Sequence, residues 1–189
     1  MRAAREYWVP LQTRQKAEKA PSWLLRTLYD ALSSLTAGLL VISLVFCFVG
    51  RPVRVYGSSM QPTLQHGDWV LVRLTPRLER GRIAVMYEGT HLKKPIIKRV
   101  IALPGDTVDI DFVSGVVCVN GAALKEPYTA APTRRKADVR FPLTVAEGTC
   151  FVLGDNRNHS QDSRFSEVGL VDQRSVLGQV LFHASFARR

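Results

Sequence analysis

Residues Ala31 to Gly50 (ALSSLTAGLLVISLVFCFVG) contain no Asp, Glu, Lys, Arg or His. A membrane-spanning helix needs roughly 20 apolar residues rising about 1.5 Å each, and this run supplies 20. Its Ser and Thr hydroxyls can bond back to their own helix, so they do not exclude a span. Three readings compete. A buried core helix normally keeps a polar face, and this run has none. A cleavable leader has a shorter apolar region, about 7–15 residues, ending in a small-x-small site. Here the run ends Phe48-Val49-Gly50 before Arg51-Pro52, with a bulky residue where a small one is needed. An uncleaved anchor fits both length and flanks. The expected division is therefore residues 1–30, a basic N-terminal segment, residues 31–50, the anchor, and residues 51–189, a globular domain.

The flanks set the expected orientation. Arg2, Arg5, Arg14, Lys16, Lys19 and Arg26 precede the run, against Glu6, Glu18 and Asp30, whereas only Arg51 and Arg54 follow closely. The positive-inside bias puts the N-terminus in the cytoplasm and the domain outside it. Ser22 is a candidate helix cap, and Trp23 and Tyr29 suit an interface. The net charge is +10, and a basic domain is attracted to anionic lipid. Nucleic acid is the other usual partner of such charge. The basic residues are dispersed, without aromatic–basic repeats, so a nucleic-acid partner is not expected.

Beyond Arg51 the chain alternates short apolar runs with turn residues. Expected strands are Val53–Tyr56, Trp69–Arg73, Ile83–Tyr87, Ile96–Ala102, Thr107–Asp111, Val116–Val119, Cys150–Leu153 and Val176–His183. Turn signals fall between them at His66-Gly67-Asp68, Arg80-Gly81, Pro104-Gly105-Asp106, Asn120-Gly121 and Gly154-Asp155-Asn156,. Asn120-Gly121 signals a hairpin. This pattern reads as an all-β domain of small sheets, barrel-like so that its edges are protected. Residues Thr129 to Val139, with Arg134-Arg135-Lys136, read as a solvated loop. Cys118 and Cys150 could pair in an oxidising compartment, but their spacing matches no zinc pattern.

Familiar catalytic signatures are absent. His66, His91, His159 and His183 are scattered and form no spaced metal pair,. Gly57-Ser58-Ser59-Met60-Gln61 lacks the second glycine of a nucleophile elbow,. His159 with Asp155 or Asp162 leaves a triad formally open, although a polar turn is the simpler reading. Three other segments carry more. Gly57-Ser58-Ser59-Met60-Gln61-Pro62-Thr63-Leu64 breaks regular structure at Pro62 and exposes hydroxyls and N–H groups; a Ser-rich turn is the plain alternative. Ile96 to Ala102 places Lys98 among apolar neighbours on one strand face. If that face is buried, desolvation favours the neutral amine, a competent general base; a snorkelling edge lysine is the alternative. Gly154 to Arg164 is dense in short polar residues, either an Asx-bonded turn or the network around a site. Asp162 and Arg164 share a face if extended and could form a salt bridge.

Behind an anchor and in this order, these segments resemble bacterial signal peptidase I, the Ser–Lys dyad leader peptidase family, in its compact single-span, Gram-positive-like form. The resemblance covers nearly the whole chain. It is carried by Ser59-Met60-Gln61-Pro62-Thr63-Leu64, by Lys98-Arg99-Val100 followed by Leu103-Pro104-Gly105-Asp106, and by Gly154-Asp155-Asn156-Arg157 followed by Ser160-x-Asp162-Ser163-Arg164. It implies a mainly β domain of two antiparallel sheets, with the site in an apolar groove near the membrane. Ser59 would be the nucleophile and Lys98 the general base. Ser160 would orient the lysine amine, and Arg99, Asp155, Asp162 and Arg164 would hold the site. Gly57 stands where some members place an oxyanion-stabilising Ser, so that help would fall to the Ser59 N–H or to Ser58. Arg82 follows Gly81 where an acidic residue is common.

The implied reaction is cleavage of signal peptides from exported pre-proteins after small-x-small sites, through an acyl-enzyme. Val55, Met60, Leu64 and Ile97 would line the small-residue pockets. No metal or cofactor is needed. The implied location is the bacterial cell membrane, single-pass, with pre-proteins and membrane lipid as partners. A LexA-like self-cleaving Ser–Lys protease should instead carry an N-terminal DNA-binding helix-turn-helix. A non-catalytic anchored β domain binding peptides or lipid would have an inactive dyad, whereas Ser59 and Lys98 are both present.

Overall fold

The computed structural model describes residues 22–48, 50–75, 77–87 and 95–184. Arg2, Arg5, Arg14, Lys16, Lys19 and His91 lie outside the described residues. The chain divides into two compact units between Ser43 and Leu44.

In the first unit the apolar run is helical. Helix α1 spans Ser22–Phe48, starting nine residues before the charge-free run. The stretch long and apolar enough to cross a membrane is Ser22–Leu44, and none of its most apolar window is buried. That stretch overlaps the charge-free run over Ala31–Leu44 and takes in Arg26 and Asp30 before it. The hydroxyls behave as a helix in lipid requires: Thr27 donates to the Trp23 carbonyl, Ser33 to Asp30 and Thr36 to Ser33, each at 2.9 Å.

The second unit is mainly β, in two antiparallel sheets, the larger curled into a half-barrel. Its strands are β1 (Arg51–Arg54), β2 (Trp69–Arg73), β3 (Ile83–Tyr87), β4 (Pro95–Ala102), β5 (Thr107–Asp111), β6 (Val116–Val119), β7 (Ala122–Ala123), β8 (Leu143–Thr144), β9 (Thr149–Leu153), β10 (Val171–Asp172) and β11 (Val176–Ala184). The seven-stranded sheet runs β1-β2-β11-β3-β4-β9-β10, and the four-stranded sheet β7-β6-β5-β8. Strand β1 ends two residues earlier than the alternation suggested. The Val55 N–H still bonds the Asp68 carbonyl at 2.8 Å, but Gly57 turns away with a φ of +89°, so pairing stops at Arg54. Asn120 and Gly121 both have positive φ, the backbone of a tight hairpin joining β6 to β7.

Packing follows the alternation. Val55, Met60, Leu64, Val70, Val72, Ile83 and Val85 form one buried cluster, on which Ile97 packs. A second joins the sheets through Val108, Ile110, Val117 and Val119 against Phe151 and Leu153. Burying a side chain such as Met60 or Leu64 stabilises the fold by roughly 1.5–3 kcal/mol. The buried loop residues Met60 and Leu64 therefore fasten the irregular Gly57–Leu64 segment to the sheet. Cys118 and Cys150 are both free. Arg134, Arg135 and Lys136 are exposed, yet Thr133, immediately before them, is buried. The loop read as solvated is pinned at that point.

Candidate active site

Strand β4 alternates, so consecutive residues serve different partners. Lys98 is 5% exposed, and its Nζ donates to Ser59 Oγ at 2.8 Å. The next residue, Arg99, points elsewhere. Its Nε and Nη2 form a fork on Asp155, at 2.8 and 2.6 Å. Its Nη1 donates to the Gly81 carbonyl at 2.6 Å, and its guanidinium lies 3.9 Å from the centre of the Tyr128 ring. Asp155 also accepts from the Thr63 hydroxyl. The same carboxylate thus ties β4 to the segment carrying Ser59.

The turn after β9 grips that segment by its backbone. The Asn156 N–H donates to the Ser59 carbonyl at 3.0 Å, and its side-chain amide to the Ser58 carbonyl at 3.1 Å. Gly154 is needed for the fit: a Cβ there would lie 2.2 Å from Ser160 Oγ and 2.5 Å from the Ser59 carbonyl oxygen. Ser160 is buried beside it, and its hydroxyl has no hydrogen-bond partner among the described residues. The Ser59 N–H is likewise bonded to no acceptor among the described residues. The Gly57 N–H, in contrast, donates to His66 Nδ1 at 3.1 Å.

Two further arginines brace the turn. Arg164 and Asp162 form a pair with both side chains fully buried, Nε to Oδ1 at 2.8 Å, and Asp162 also accepts from the Gly154 N–H at 3.0 Å. Arg157, fully buried, forks onto Glu126 at 2.8 and 2.6 Å and donates to the Gly154 carbonyl and the Thr133 hydroxyl. Burial, aided by Glu126, pushes the Tyr128 hydroxyl up to about 12, so it stays a neutral donor to Glu126. Asp155 and Asp162 are thus each engaged by an arginine, and His159 is exposed; a Ser-His-Asp arrangement is not formed. Arg82 meets Glu79 at 3.4 Å on the surface.

Beside the Ser59–Lys98 pair runs a mostly apolar groove of about 710 Å³, lined among others by Val55, Met60, Trp69, Ile96 and Ile97. Of the residues assigned to pockets from sequence, Val55, Met60 and Ile97 line it. Leu64 sits in the core beneath. Reading along the chain assigned no role to Thr63, Glu126, Tyr128, Thr133 or Asn156. Thr63 and Asn156 stood inside the quoted segments, so their short polar side chains were visible signals. Glu126, Tyr128 and Thr133 had none, because their partners are distant in sequence. Among the described residues no cluster of His, Cys, Asp and Glu could hold a metal ion.

Comparison with known proteins gives consistent findings. A family model described as signal peptidase, peptidase S26, matches residues 28–184. Signal peptidase I of Bacillus licheniformis is 33% identical over 167 residues, covering 82% of this chain and 88% of that protein. Probable signal peptidase I-2 of Synechocystis sp. is 36% identical over 179 residues, covering 89% and 77%. A crystal structure of a signal peptidase I from Enterococcus faecalis V583 is 34% identical, covers 56% of this chain and 97% of that chain, and superposes with a TM-score of 0.45.

Proposed function

The chain belongs to the signal peptidase family, peptidase S26, and from that premise we propose that Ser59 and Lys98 are the nucleophile and general base with which it works. It is a serine peptidase that cleaves signal peptides, and its single apolar helix fits a membrane-anchored protein. The observation that carries the catalytic assignment is the 2.8 Å contact between a buried amine and a hydroxyl at the rim of a groove.

The steps follow from that contact. A substrate strand lies along the groove and gains main-chain bonds, with alternate side chains entering it. In its neutral form the Lys98 amine accepts the Ser59 proton as Oγ bonds the scissile carbonyl carbon. The uncommitted Ser59 N–H, with Ser58 beside it, stabilises the oxyanion; such a donor is typically worth about 3–4 kcal/mol. Collapse breaks the C–N bond, and Lys98 returns the proton to the leaving amine. Water then adds to the ester, giving its proton to Lys98, and Oγ leaves with that proton. Ser160, whose hydroxyl is unpartnered at rest, orients the amine. Arg99, Asp155, Asp162 and Arg164 hold the two segments in register.

Val55, Met60 and Ile97 present apolar walls that favour small side chains near the cut, with Leu64 backing Met60. The N-terminal segment lies in the cytoplasm and the β domain outside it, as the flanking charges favour, with lipid as its surroundings. The test is cleavage of a peptide with an Ala-x-Ala site by purified protein, with trapping of the acyl group on Ser59. Turnover by wild type and none by Ser59→Ala is expected; turnover by Ser59→Ala overturns the assignment.

A further inference from the structure

Strands β2 and β11 carry a second cavity, of about 180 Å³, that shares no lining residue with the Ser59 groove. Arg73, Arg77, Arg82, Glu79, Gln179 and Leu181 line it. Three guanidiniums thus face one carboxylate. Glu79 answers only Arg82, at 3.4 Å, and Arg73 and Arg77 make no ion pair among the described residues. Gln179 stands directly opposite Arg73 across the β2–β11 ladder, so their side chains share a face. Gln179 is 8% exposed, and its amide nitrogen has no acceptor among the described residues. A buried donor without an acceptor is destabilising and calls for a partner. An anion with several oxygens would satisfy Gln179 and neutralise both unpaired arginines, whose planar forks suit phosphate.

The position of these residues on the chain suggests where such an anion comes from. Gly178 and Gly50 both pack against the end of β2. A Cβ on Gly178 would lie 2.0 Å from the Arg73 carbonyl oxygen, and one on Gly50 would lie 2.4 Å from that of Val72. One residue separates Gly50 from Phe48, the last residue of α1, and two chain steps reach at most about 7 Å. The Val72–Arg73 backbone therefore packs against Gly50, which follows the last residue of α1 by two positions in the sequence. If that helix lies in a bilayer, lipid phosphates are concentrated near its end.

We propose that Arg73, Arg77 and Gln179 form a phosphate-binding site occupied by the headgroup of an anionic phospholipid. The assignment rests on the membrane-anchor reading. The shared chemistry is a phosphate group, which lipid or free phosphate could supply.

The test uses the full chain in detergent micelles and counts retained lipid by native mass spectrometry. Phosphatidylglycerol is offered in one arm, diacylglycerol in a second and millimolar inorganic phosphate in a third, with Tm read in the last. Wild type should retain phosphatidylglycerol and not diacylglycerol. An Arg73→Gln/Arg77→Gln double variant should retain at least about fivefold less, since each basic contact near a lipid surface contributes on the order of 1 kcal/mol. Gln179→Glu, nearly the same shape with a repelling charge, should lose retention too. Peptide cleavage in micelles should stay within about twofold for every variant, because none of these residues touches the groove; this separates failure of the site from failure of the peptidase assignment. Undiminished retention by both variants overturns the site. A rise in Tm with inorganic phosphate in wild type alone, without lipid retention, overturns the lipid source.

Discussion

Lys98 Nζ donates to Ser59 Oγ at 2.8 Å across 39 residues of sequence, while its neighbour Arg99 is held by Asp155 and the Tyr128 ring. The strand alternation sorts two adjacent cations. One is paired with a carboxylate, and the other meets a hydroxyl. Ser59→Ala and Lys98→Ala should each reduce peptide cleavage to background with thermal melting little changed. Lys98→Arg should not restore it, because a guanidinium stays protonated. Cleavage by Lys98→Ala at a near-normal rate would place the base elsewhere.

The sign of the pH dependence follows from the same contact. Only the free amine accepts the serine proton, so kcat/KM should fall as acid converts Lys98 to ammonium and rise toward a plateau in base. Tyr128, pushed up to about 12 chiefly by burial, stays neutral through this range and adds no second step. A pH profile of kcat/KM on an Ala-x-Ala peptide measures this, and a flat one would contradict it.

Arg99→Leu should cost the fold roughly 3–5 kcal/mol, because it leaves the fully buried Asp155 carboxylate without its fork,. Removing Arg164 beside Asp162 should cost a similar amount. Urea unfolding read by tryptophan fluorescence gives the number. A loss below about 1 kcal/mol would show that neither pair carries the turn.

Gly154→Ala tests the close approach behind the nucleophile. Its Cβ would overlap Ser160 Oγ and the Ser59 carbonyl oxygen, so Ser59 must shift. Activity should drop by at least about 100-fold, since small misplacements of a reacting group are that costly. Pairing it with Ser160→Gly should not rescue activity, because the clash with Ser59 remains. Restored turnover in the double variant would locate the whole effect at Ser160.

Burial, with Asp172 adding to it, pushes the Cys150 thiol up to about 12. It should resist maleimide in the folded protein and react after denaturation, whereas the half-buried Cys118 should label first. Mass mapping of labelled peptides separates the two.

What was legible in the sequence was local. Trp69–Arg73, Ile83–Tyr87, Thr107–Asp111 and Val116–Val119 emerge with their expected limits, because alternation bounded by turn residues is a strong signal. The two-residue strands β7, β8 and β10 are too short to show any period. The segments carrying Ser59 and Lys98 were visible by their order along the chain. Glu126 and Thr133 were not: Arg157 reaches them across 31 and 24 residues, and nothing near either residue marks it as the partner of a buried cation. The loop read as solvated owed that reading to three exposed basic residues that directly follow its buried anchor point, Thr133.

The unpartnered Ser160 hydroxyl sets thermal robustness against turnover. A buried hydroxyl without a partner costs a resting protein about 1–3 kcal/mol, so Ser160→Ala should melt higher while cleaving more slowly. Selection for heat resistance alone would enrich that variant and discard the hydroxyl proposed to aim the amine.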